Sequence, residues 1–278
     1  MVLILGFTGI FGKLISLNTI ELVWYRMLIA FVTLFTFLVF KKELTKIKKK
    51  DFFGLLFVGS LVAVHWFFFF ESIKVSNVSV AVVCLSTASF FSAMIEPLFL
   101  KRKPKLYEYM LGIVVFVTLF LMLEAETKYT MGYVYGIIAS FIGTLFTLYN
   151  AKYINRLEAS KITMVEMLAG VIIFSILMLL NKEIGINNLK IDINDFVYLL
   201  LLGTICTAAV FVWMVEIMKY ISPYSLIMAI NLEPIYSIVL ALIIFSESEH
   251  MNLSFYIGAS VIVLVVFLES YLKNKIKS

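Results

Sequence analysis

Apolar runs of about twenty residues, broken only by short charged stretches, recur along the whole chain. A bilayer-crossing helix needs about 20 apolar residues, and among open-ended elements only a helix satisfies its own backbone inside lipid. The runs fall at 2–18, 21–40, 52–72, 77–100, 106–124, 130–151, 162–181, 196–218, 223–246 and 253–272. Hydrophobic residues make up 62% of the sequence, against roughly 45–50% in soluble domains. With four prolines and no Ser/Gly-rich run, no linker or soluble domain fits. The expected class is an all-α polytopic membrane protein with ten transmembrane helices. The first run lacks a basic flank and a small-residue cleavage site, and reads as a retained span. Cys84 and Cys206 lie inside apolar runs, so no disulfide framework is implied.

Lysine and arginine in short loops set orientation. With the N-terminus inside, the segments 41–51, 101–108, 152–161, the Lys219 turn and 273–278 hold seventeen of the 23 basic residues. The outer segments hold four, Lys74, Lys128, Lys182 and Lys190. The bias gives an N-in, C-in topology.

An internal repeat underlies this pattern. Moving residues 75–123 by 146 positions lays them on 221–269 without a gap, matching Ser76 with Ser222, Ser79 with Ser225, Phe99 with Phe245 and Gly112 with Gly258. Upstream, Asp51-Phe matches Asp195-Phe at an offset of 144, and Arg26-Met-Leu falls on Glu166-Met-Leu at 140. The reading is a duplicated five-span unit, residues 1–126 and 127–278. Because five is odd, the second copy enters the membrane upside down. Inverted repeats of this kind place substrate near the midplane between the halves of secondary transporters.

The ninth run carries Asn231, Glu233 and Pro234 near its middle. A charge there costs roughly 3 kcal/mol unless paired, neutralised or facing water, so Glu233 is a candidate for substrate binding and for proton coupling. A locking pair between two helices is the alternative. On an ideal helix Tyr236 shares the Glu233 side and Asn231 points roughly opposite; both are kept as candidates. The matching stretch of the first copy has Leu85, Thr87 and Ala88 instead, so the acid and the proline are not demanded by the five-span scaffold.

Short first span with Gly6 and Gly9 before Lys13, Arg26 early in the second, and Pro234 followed by Phe245-Ser-Glu247 closing the ninth: together with the two five-span copies, this resembles the EamA family of the drug/metabolite transporter superfamily. In the first copy the proline is Pro97, and Lys101 stands at the glutamate's place. The resemblance covers essentially the whole chain. It implies a bacterial inner-membrane carrier of small metabolites, often an exporter of amino acids or related compounds.

Other polar residues complete the expected cavity. Arg26, beside Trp24 and Tyr25, could hold a substrate carboxylate in a bidentate grip or snorkel to outer headgroups. His65 and Trp66 lie two thirds of the way outward in the third span, His65 being a second candidate for proton coupling. Trp213 is its counterpart stretch in the second copy. Phe67–Phe70 read as lipid-facing packing, and Gly6 and Gly9 as close helix contacts. Lys13 is expected to snorkel, with pairing to Glu71 or Glu233 the lesser reading, and Glu96, Glu166 and Glu216 to sit at the inner interface near Lys101, Lys161 and Lys219. The fourth span is polar on several faces and is placed inside the bundle. Spans 1–4 and 6–9 are expected to surround the cavity, with 5 and 10 supporting.

Two histidines form no HExxH or metal cluster, and neither a Walker loop nor a Gly-x-Ser-x-Gly elbow occurs. The expectation is therefore no metal, no cofactor and no catalysis. It is a carrier whose partners are a small-molecule substrate, membrane lipids and, for coupling, a proton, with no nucleic acid. The alternative is a membrane-embedded lipid-modifying enzyme or a lipid flippase.

Overall fold

A computed structural model describes residues 1–101, 105–180 and 191–277. Arg102, Lys103, Lys182 and Lys190, counted above among the loop charges, lie outside the described residues, as does position 181 at the end of the seventh run. All regular structure among the described residues is helical. The elements are α1 (Val2–Leu14), α2 (Thr19–Phe40), α3 (Lys49–Val75), α4 (Val78–Leu85), α5 (Ala88–Leu100), α6 (Leu106–Ala125), α7 (Thr130–Tyr153), α8 (Ala159–Leu180), α9 (Ile193–Gly203), α10 (Val210–Ile217), α11 (Pro223–Ile230), α12 (Glu233–Phe245) and α13 (Leu253–Lys277). Counting α4 with α5, α9 with α10, and α11 with α12 as single crossings, eight helices are long and apolar enough to span a membrane. The ends of the chain supply two shorter apolar helices, α1 and the Leu253–Glu269 part of α13. The chain is a multi-pass membrane protein.

Local sequence starts these helices where the backbone needs help. Asn18 accepts the N–H of Glu21 at 3.0 Å, Asn77 that of Val80 at 2.9 Å and Ser222 that of Ser225 at 3.2 Å. Each supplies one of the side-chain oxygens that satisfy the first N–H groups of a helix. Pro223 follows Ser222 at the first helical position, where its missing N–H costs nothing.

The centre of the bundle is α3, packed on α7 and α8, with α2 lying along α8. Close approach rests on small residues: a Cβ on Gly59 of α3 would stand 2.5 Å from the Glu166 carbonyl oxygen and 2.6 Å from its Cα. Gly6 and Gly9 are buried against Tyr236 and Val78, as close-contact residues should be. α6 and α13 pack on each other at the side of the bundle.

Two aspartates tie distant parts of the chain together. Asp195 accepts the backbone N–H of Ser16 at 3.0 Å and its hydroxyl at 2.5 Å. Asp51, which matches Asp195 in the sequence, pairs at 3.2 Å with Arg156.

Lys13 pairs with Glu249 at 2.7 Å and also donates to Ser248. Two expectations for charged residues need correction. Glu96 and Glu166 are wholly buried instead of interfacial, because their helix faces turn into the bundle. Glu216, paired with Lys219 at 2.7 Å, stands as expected.

Candidate functional site

Helix α11 ends at Ile230 and α12 starts at Glu233, with Asn231 and Leu232 forming a turn between them. Pro234 sits in the first turn of α12, where it fits without breaking a bond. The fourth span has the same interruption: α4 ends at Leu85 and α5 starts at Ala88, although neither an acid nor a proline stands there. The two breaks touch, since the Asn231 carboxamide donates to the Ser86 carbonyl at 3.4 Å. A break in corresponding helices of two halves is the place where transporters of this architecture expose backbone and polar side chains to a cavity.

Such a cavity of about 100 Å3 lies beside the breaks. One water centre needs roughly 10–15 Å3, so the space suits several waters or a small solute. Its wall includes Arg26 from α2, His65, Trp66 and Phe69 from α3, and Asn231 and Glu233 from the second break. Thr8, Leu85, Ser140, Thr147, Cys206, Phe211 and Met214 complete most of the rest. The turn at 231–232 explains how Asn231 and Glu233 share one wall, which a continuous helix would forbid.

Arg26 is only 2% exposed. Its Nε donates to the Thr207 hydroxyl at 2.6 Å, and its guanidinium lies 3.8 Å from the centre of the Trp66 ring. Thr207 is in a π-helical turn, Thr204–Ala209, and itself donates to the Leu202 carbonyl at 2.6 Å. Single π turns inside α-helices recur at functional sites because they re-aim one side chain. The Arg26 Nη1 has no partner. Glu233 faces the same space, and no direct ion pair joins it to Arg26 among the described residues. His65 is held by its Nδ1 against the Ala139 carbonyl at 2.7 Å and meets Phe146 edge to face.

The EamA-like transporter family model matches residues 1–124 and 130–271. This chain belongs to the EamA-like transporter family. A solved crystal structure shares the fold, with a TM-score of 0.75 over 98% of this chain and 94% of the other at 12% identity; that likeness is one of fold alone. No curated protein matches the sequence.

Within this EamA-like fold, Arg26, His65, Trp66, Asn231 and Glu233 all reach the cavity wall. Trp213 and Tyr236 do not. Trp213 is 51% exposed on the outside of α10, and its neighbours Phe211 and Met214 take the inner face. Tyr236 packs on Gly6 of α1, where its Cβ would be 3.1 Å from a Cβ at that position. The aromatic run also reads differently from expectation. Phe69 lines the cavity and Phe70 lies under the Arg26 guanidinium at 5.3 Å, because positions 66, 69 and 70 share one helix face. The seventh span, α8, contributes nothing to the wall. Thr207 was not legible in advance: a threonine among apolar residues carries no sign of a π turn.

Proposed function

We propose that this chain is a secondary carrier of small zwitterionic metabolites such as amino acids, working by alternating access in a bacterial inner membrane. Its ten spans form two inverted five-helix repeats, residues 1–126 and 127–278, N-in and C-in. Spans 1–4, 6, 8 and 9 surround the substrate. Arg26 takes the substrate carboxylate through its free Nη1, held in place by Thr207 and Trp66. Glu233 takes the ammonium group and, when the site is empty, a proton, so that proton and substrate exchange at one carboxyl. His65, Trp66 and Asn231 complete the binding wall.

The observation that supports this most is the pair of opposite charges, Arg26 and Glu233, on one enclosed wall without a direct ion pair. Two fixed charges of opposite sign in a low-dielectric space would collapse onto each other or onto water if packing allowed. Held apart, they match the two ends of a zwitterion.

The test is counterflow of labelled amino acids in proteoliposomes, guided by a thermal-shift panel of metabolites. Saturable counterflow of at least one zwitterion is expected, lost in Arg26→Ala. Glu233→Gln is expected to lose uptake driven by a pH gradient. A panel in which only cations, only anions or only lipids bind overturns the reading.

A further inference from the structure

Glu166 is the residue that the repeat places on Arg26, yet it faces away from the cavity. It is fully buried on α8, under the backbone of Gly59. The Asn150 carboxamide of α7 faces it as a weak hydrogen-bond partner. Neither group has a further partner among the described residues, and the buried hydroxyl of Thr163, one turn before Glu166, has none. Thr147, one turn before Asn150, lines the central cavity. Together these side chains form a polar file from the cavity wall toward the end of the bundle that carries Lys46, Arg156 and Lys161.

The charged groups on neighbouring elements are engaged elsewhere. On α2, Arg26 is held by Thr207; on α3, Asp51 pairs with Arg156 and His65 with the Ala139 carbonyl. Glu216 of α10 pairs with Lys219, and Lys161 of α8 with Glu158 and Thr45. Lys152 of α7 lies over the Phe99 ring, and Lys49 and Lys50 are exposed at the start of α3. Glu21, Glu71 and Lys74 lie at the opposite end, where Glu71 accepts from Thr19 and Lys74 donates to the Leu17 carbonyl.

We propose that Glu166 and Asn150 form a second proton-binding site, beside the central cavity and separate from the substrate. A carboxylate buried with no cation beside it and only that amide facing it is costly when ionised, and a proton taken up there removes the cost. Movement of α8 against α3 and α7 that lets water in favours release. Proton occupancy at Glu166 is thereby tied to the packing of these three helices. The site rests on the carrier reading only for what the proton drives.

Infrared spectroscopy of the purified protein over a pH series tests the site without any substrate. A protonated-carboxyl band that fades as pH rises is expected in the wild type, and Glu166→Gln should lose one component of it, distinct from the component that Glu233→Gln removes. Should that variant fail to fold, Asn150→Ala is expected to shift the same band. A band that is unchanged in both variants, that does not respond to pH, or that answers to added sodium instead of pH overturns the proposal. In proteoliposomes, Glu166→Gln should keep counterflow at equal pH and lose acceleration by a pH gradient; retained acceleration overturns the coupling. If the wild type moves no zwitterion, the carrier reading fails while the infrared series still decides the site.

Discussion

Glu249 accepts the backbone N–H of Val78 at 3.0 Å, closing the start of α4 with a carboxylate 171 residues away in sequence. It also accepts from the N–H and hydroxyl of Ser79, at 3.0 and 2.7 Å, and pairs with Lys13. The other copy is treated in kind. Glu96 accepts the N–H of Tyr224 at 2.6 Å, and Tyr224 is the residue that the repeat places on Val78. Each interrupted helix thus begins on a buried carboxylate distant in sequence, where the positive end of the helix dipole favours negative charge. Both caps lie at helix ends remote from the breaks, so they anchor the two half-helices whose other ends line the cavity.

Glu249→Ala should be among the most damaging single changes. It strands two N–H groups and leaves Lys13 without its buried partner, a loss of about 3–5 kcal/mol for a pair of this kind. The exposed Glu247→Ala should stay within about 0.5 kcal/mol of wild type. Thermal unfolding in detergent separates the two. Equal effects would mean that the acidic turn acts only through its overall charge.

Arg26→Lys keeps the charge and loses both the Nε bond to Thr207 and the planar stack on Trp66. A lysine cannot reproduce either geometry. Substrate affinity is expected to fall about tenfold, roughly 1.4 kcal/mol, read from the ligand-induced thermal shift. Full affinity in the lysine variant would assign Arg26 a purely coulombic role.

Trp213→Ala and Phe211→Ala should part company. Phe211 meets Trp66 edge to face at 5.6 Å and Phe146 at 5.6 Å, so its loss opens the cavity wall and weakens binding. Trp213 points outward, and its truncation should leave affinity unchanged. Reversed results would place the substrate outside the central cavity.

Gly59→Ala tests the contact between α3 and α8. The new Cβ would press on the backbone of Glu166, which cannot rotate aside. Overpacking of this kind costs about 1–3 kcal/mol. A lowered unfolding temperature is expected, whereas Gly54→Ser, facing the movable Tyr153 side chain, should be milder.

Hydropathy alone determined the class of this protein, because no other reading accommodates repeated runs of bilayer length in a chain without linkers. Composition and spacing also marked Arg26, His65, Trp66, Asn231 and Glu233, since a polar group in an apolar run stands out wherever it faces. The rotation of each helix was decided only by the tertiary structure. In a membrane the lipid-facing and bundle-facing sides are both apolar, so periodicity does not say which side is buried. That is why Trp213 was expected inside and lies outside, and why Phe69 and Phe70 were expected outside and lie within. The breaks at Ser86 and Asn231 followed the same rule: proline marked one and nothing local marked the other. What stabilises both is tertiary contact, through Asn231 and Ser86 at the centre and Glu249 and Glu96 at the ends.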